Sequence, residues 1–190
     1  MTALTQSYYS GASSTQIIYQ TIGDYLDHIC ESFPDNEALV VRHQNVRWTY
    51  AEFKREIDRL ATGLLALGIE PGDRVGIWGP NSSEWALVQY ATASIGAIMV
   101  CINPAYRLHE LEYALNKVGC RAIITAEQFK TSHYLNMLQN LAPELVSCPP
   151  GKLKAHNFPD LEMVILMGEE ATSGMLNFSD VCAMGSETEY

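Results

Sequence analysis

The chain has 190 residues, of which 47% are apolar and 18% charged. That composition can bury a sizeable core and excludes a disordered tail, a collagen and a coiled coil. The length suits one domain or part of a larger one. Twelve basic residues against 22 acidic ones give a formal charge of −10. Such a chain repels phosphate backbones, so no nucleic-acid partner is expected.

The first basic residue is Arg42. No cationic leader or Arg-rich transit helix is visible, and a cytoplasmic location is expected. The five cysteines lie at 30, 101, 120, 148 and 182 without any C-x-x-C pair. They read as reduced thiols, with Cys101 and Cys120 buried in apolar runs.

Residues 1–20 are rich in Ser, Thr, Tyr and Gln and read as a loose arm. A helix is expected over about 22–32, with Ile22, Tyr25, Leu26 and Ile29 on its inner face, ended by Pro34. A hairpin follows, Ala38–Val41 against Val46–Trp48. Thr49 and Glu52 have capping-box spacing. The helix they open places Phe53, Ile57, Leu60, Ala61, Leu64 and Leu67 on one face, and Gly68 closes it.

Strands and helices then alternate. Strand 74–78 leads to a helix capped by Asn81 or Ser82. From Trp85 to Tyr106 no charge occurs over 22 residues, long enough to span a bilayer. Gly96, Asn103 and Pro104 break that run, so it reads as a buried helix followed by strand 97–102, and no transmembrane segment is expected. A helix at 107–118 should turn Leu108, Leu111, Leu115 and Val118 inward. Strand 121–125, a helix at about 128–141, the loop Cys148–Gly151, strand 163–167 and a short amphipathic piece at 178–184 complete the order. From Ala155 to Tyr190 there are seven carboxylates and no Lys or Arg, which reads as a solvated face or tail. The alternation predicts a doubly wound α/β layer: a mainly parallel sheet with helices on both faces, plus an N-terminal helix and hairpin.

Such a sheet binds ligands outside the carboxyl ends of its strands. Those ends are Trp78–Asn81, Asn103–Tyr106 and Thr125–Glu127. Two readings of them stay open: the wall of a cleft, or ordinary turn residues. Phosphate fingerprints are missing, since neither G-x-G-x-x-G nor G-x-x-x-x-G-K-[ST] occurs. Thr172-Ser-Gly174 runs on into Met175 and Leu176, bulky side chains that would obstruct a phosphate, and reads as a surface turn. Ser94 has Thr92 where a nucleophile elbow requires Gly. No pair among His28, His43, His109, His133 and His156 has metal-helix spacing. No catalytic, cofactor-binding or metal residue is therefore assigned.

Several stretches together resemble the AMP-forming acyl-CoA synthetases of the adenylate-forming superfamily. Trp48–Phe53 with Pro71–Gly76 resembles one core motif, and Ala91–Gly96 through Val100–Tyr106 a second. Gly79–Trp85, Glu110–Tyr113, Val118–Cys120 and Gln128–Lys130 resemble the medium-chain fatty acyl-CoA ligase branch. The resemblance covers about residues 20–185. It implies that residues 21–190 are an N-terminal fragment, an incomplete N-terminal subdomain of an AMP-binding (adenylation) domain. It further implies a complete enzyme that joins a fatty acid to coenzyme A using ATP and Mg2+. The family's phosphate loop and catalytic lysine have no counterpart in these residues, so the chain alone is expected to be inactive and to bind none of these ligands firmly. Exposed sheet surfaces are expected to promote self-association. A non-enzymatic nucleotide-binding module, or an interaction domain using the acidic segment 155–190, are the alternatives.

Overall fold

A computed structural model describes residues 11, 14, 17–168 and 170–185. Most of the arm expected over 1–20 lies outside the described residues, as does the end of the acidic segment.

Helix α1 spans Ile22–Ser32 and is opened by Thr21, whose hydroxyl accepts from the Asp24 amide at 3.1 Å. Its buried residues are Gly23, Leu26 and Cys30, whereas Ile22 and Tyr25 are exposed. The inner face is thus turned from the expected one, because Gly23 lies close against Ser94. Strands β1 (Glu37–Val41) and β2 (Val46–Thr49) form the antiparallel hairpin. Asn45 takes the left-handed turn position at φ 54°. Helix α2 (Tyr50–Ala66) carries both halves of the capping box. The Thr49 hydroxyl accepts from the Glu52 amide at 3.3 Å, and the Glu52 carboxylate accepts from the Thr49 amide at 2.9 Å.

The sheet consists of β3 (Arg74–Trp78), β4 (Ile98–Ile102), β5 (Ala122–Thr125), β8 (Met163–Leu166) and the short β9 (Leu176–Asn177). Its order is β4-β3-β5-β8-β9, and every pairing is parallel. Helices α1, α2, α3 (Ser83–Ser94) and α6 (Phe178–Gly185) cover one face over Val75, Ile77, Ile124 and Ile165. Helices α4 (Leu108–Val118) and α5 (Tyr134–Leu141) cover the other over Trp78, Ile123 and Val164. This is the doubly wound layer that the alternation predicts. No helix among the described residues is long and apolar enough to cross a membrane.

Three expectations need correction. The helix expected from 128 begins only at Tyr134. Before it, β6 (Gln128–Phe129) and β7 (Ser132–His133) pair antiparallel around Lys130, which sits at φ 53° and cannot continue a right-handed helix. Cys101 is exposed, because β4 is the edge strand; Cys120 is buried. For the same reason Leu108 and Val118 of α4 stay partly exposed while Leu111 and Leu115 are buried. All five cysteines are free thiols.

Candidate functional site

In a parallel sheet the crevice opens where neighbouring strands send their exit loops to opposite faces. Here those strands are β3, which exits to α3, and β5, which exits to the β6–β7 hairpin and α5 on the other face. The rim is therefore built from Trp78–Asn81, Thr125–Glu127 and, beside them, Asn103–Tyr106.

Side chains close much of this rim. Trp78 is fully buried and stacks on Tyr134, with ring centroids 3.6 Å apart and planes inclined by 16°. The indole Nε1–H donates to the Asn103 carbonyl at 3.2 Å. The Tyr134 hydroxyl donates to the Pro104 carbonyl. Burial pushes the Tyr134 phenol up to about 12, so it stays protonated at neutral pH. The Asn103 carboxamide oxygen accepts from the Ala105 amide at 2.9 Å and sets the turn after β4. Arg107 Nη1 reaches the Ser132 hydroxyl at 2.6 Å and ties that turn to the β6–β7 hairpin.

Several main-chain donors near the rim are used in the same way. The Ala126 amide donates to Trp78 O at 3.0 Å, the Met167 amide to Thr125 O at 2.8 Å and the Tyr134 amide to Glu127 O at 2.9 Å. At the start of α3, Ser82 Oγ accepts from the Trp85 amide at 3.3 Å, and Gln44 Oε1 accepts from the Ser83 amide at 2.7 Å. Gln44 Nε2 then donates to both oxygens of Glu84, at 3.0 and 2.8 Å. Burial raises the Glu84 pKa, but the bonds from Gln44 and the helix start outweigh it and hold the carboxyl below its usual range. This helix start is thus capped by protein groups and faced by an anion.

These residues do not fit a nucleotide phosphate. A phosphate cradle requires free amides, close backbone approach and a cation. A Cβ at Gly79 would meet Met167 Cε at 3.0 Å and Ala126 Cβ at 3.4 Å, so that glycine serves packing inside the rim. At Gly174, φ is +74° and a Cβ would lie 1.9 Å from the Leu145 carbonyl oxygen. The Thr172–Gly174 turn is therefore glycine-bearing because it docks on Leu145. Among the described residues no group of three or more His, Cys, Asp and Glu side chains could hold a metal ion. The strand ends form a rim, and their polar groups serve its turns. Gln44, Tyr134 and Ser132 are the contributors that sequence reasoning missed, because each acts across more than 24 residues of chain.

A doubly wound layer with a strand-end rim and, among the described residues, no phosphate cradle is the class that fold and rim define. Residues 26–178 match the AMP-binding enzyme family, and the chain belongs to it. It is 45% identical over 183 residues to the medium-chain acyl-CoA ligase ACSF2, mitochondrial, of Rattus norvegicus. That match covers 96% of this chain and 30% of the relative. The anthranilate CoA ligase AuaEII, solved with anthranoyl-AMP, superposes with a TM-score of 0.73 at 23% identity over 88% of this chain and 29% of that one. A long-chain-fatty-acid-CoA ligase (FadD1) from Archaeoglobus fulgidus gives 0.72 at 24% over 95% of this chain and 33% of that one. At such identity the two structures bear on the fold alone. The chain thus spans about a third of the length of the proteins it matches.

Proposed function

We propose that the chain is the opening subdomain of a fatty acid–CoA ligase. In the complete enzyme, a fatty acid carboxylate attacks the α-phosphate of ATP, with Mg2+ offsetting phosphate charge, and pyrophosphate leaves. The coenzyme A thiol then displaces AMP to give the thioester. The observation that carries this reading is the 45% identity to a medium-chain acyl-CoA ligase over 183 residues. No chemical step is assigned to these residues. Their part is to supply the sheet and a rigid rim against which phosphate-handling groups from further polypeptide would close. The stacked Trp78–Tyr134 pair at the rim and the protein-capped start of α3 support inactivity of the chain alone.

Two measurements test the reading. The isolated chain, given fatty acid, Mg2+ and ATP, is expected to exchange no labelled pyrophosphate into ATP, and exchange above the protein-free background overturns the inactivity. A chimera carrying residues 26–178 in place of the matching segment of the rat relative is expected to form acyl-CoA. A folded but inert chimera overturns the ligase assignment.

A further inference from the structure

Among the described residues no strand pairs with the outer edge of β4. Ile98-Met-Val-Cys-Ile102 contains no charge and no proline, the devices that keep an edge from pairing. Its residues are exposed unevenly: Ile98 is 51% accessible and Cys101 is exposed, while Ile102 is buried. The ladder fixes which main-chain groups are free. The Ile98 amide donates to Asp73 O at 2.7 Å, on the β3 side. In a parallel pair, alternate residues bond the neighbouring strand. Ile98, Val100 and Ile102 therefore face β3 with their amides and carbonyls, and Met99 and Cys101 direct theirs to the open edge.

Beside this edge runs a groove of about 890 Å³ between β4 and α4, lined by Val100, Cys101, Tyr106, Tyr113 and Val118 among others. Tyr113, in the middle of the α4 face, is 65% exposed. The charges along this face are segregated. Glu110 and Glu112 lie toward the start of α4, and Lys117 lies at its end.

We propose that β4 pairs with β4 of a second copy of this chain, antiparallel about a two-fold axis through Val100. Residues in that register add up to twice one hundred. Met99 then lies opposite Cys101 of the second copy, and the two exchange both main-chain hydrogen bonds. These are the residues whose main-chain groups point away from β3 and have no strand partner among the described residues. Val100 meets Val100 of the second copy in a non-hydrogen-bonded position, where side chains approach most closely. Shifting the register by one residue would set Met99 and Cys101 opposite residues whose amides already serve β3. The same axis, perpendicular to the sheet, lays α4 antiparallel to its copy on one face. Lys117 then faces the Glu110 and Glu112 end of the other helix, and the apolar groove is filled from both sides. The interface is isologous and closes on itself, so it gives a dimer and no fibre.

The test is the oligomeric state of the full chain by sedimentation. A concentration-dependent dimer is expected. Val100→Lys places like charges opposite one another on the axis and should raise the dissociation constant about tenfold or more; because Val100 is partly buried against the core, the variant's folded state is checked by circular dichroism. Val100→Cys in a Cys101→Ser background should give an intermolecular disulfide under mild oxidation, because opposed non-hydrogen-bonded positions meet disulfide geometry. Cys101→Ser alone should not. A monomer at all concentrations, a dimer indifferent to Val100→Lys, or failure of Val100→Cys to cross-link would each overturn the pairing. If the monomer's Met99 and Cys101 amides become protected from exchange only within a longer ligase polypeptide, the edge is covered by that polypeptide and the second copy is excluded.

Discussion

Gly63 sits where α2 and α6 cross. A Cβ there would lie 1.9 Å from the Val181 carbonyl oxygen, and on the facing helix a Cβ at Gly185 would lie 2.0 Å from Arg59 O. Backbone atoms cannot swing aside as a flexible side chain can. Two effects oppose each other in Gly63→Ala. Helix propensity favours Ala by roughly 1 kcal/mol. Overpacking a tight core disfavours it by about 1–3 kcal/mol, with the upper range applying when backbone must move. The clash should win, and the urea midpoint should fall at an unchanged slope. A gain in stability would mean that α6 does not dock on α2. Sequence periodicity alone makes Gly63 a weak spot in an otherwise apolar helix face. It does not reveal that the absent side chain is what lets α6 approach, because the partner lies more than 100 residues downstream.

Elements differ in how far their own sequence determines them. The capping box on α2 and the strands Arg74–Trp78 and Ala122–Thr125 are legible because local hydrogen bonding and apolar runs specify them. The region 128–141 is not, since its apolar spacing suits a helix throughout. What decides the difference is Lys130 at φ 53°, together with Arg107 holding Ser132 from a distant loop. The edge position of β4 is hidden for a related reason. Its apolar run reads the same whether it has one neighbour or two, and only the strand order leaves Cys101 and Ile98 exposed. Substituting Lys130→Gly distinguishes hairpin from helix by sign. Glycine relieves a left-handed residue of about 1 kcal/mol, whereas in a helix interior it removes about 1 kcal/mol. Neutral or raised stability is expected, and a loss of that size would restore the helix.

Across the whole molecule, burial and charge act together at high pH. Desolvation raises Cys120 to about 11 and Tyr134 to about 12. Cys182 rises to about 12, first through burial and then through the nearby Glu56 carboxylate. Unfolded, these groups titrate at 9.0, 10.0 and 9.0. Each folded pKa is raised, so each contribution is complete below the unfolded value and is lost as pH climbs toward the folded one. In that window the unfolded chain has released protons that the native chain still holds, and stability falls by at most about 1.4 kcal/mol per pH unit per group. The net charge of −10 becomes more negative over the same range and adds self-repulsion in the same direction. Salt separates the two, since it screens surface charge and leaves burial untouched. Urea midpoints measured in high salt should therefore still drop steadily above pH 9, and Tyr134→Phe should flatten the part of the decline between 10 and 12. A midpoint that stays level to pH 11 in high salt would mean that Cys120 and Cys182 are hydrated in the native state, and the rim and α2–α6 packing built around these groups would have to be redrawn.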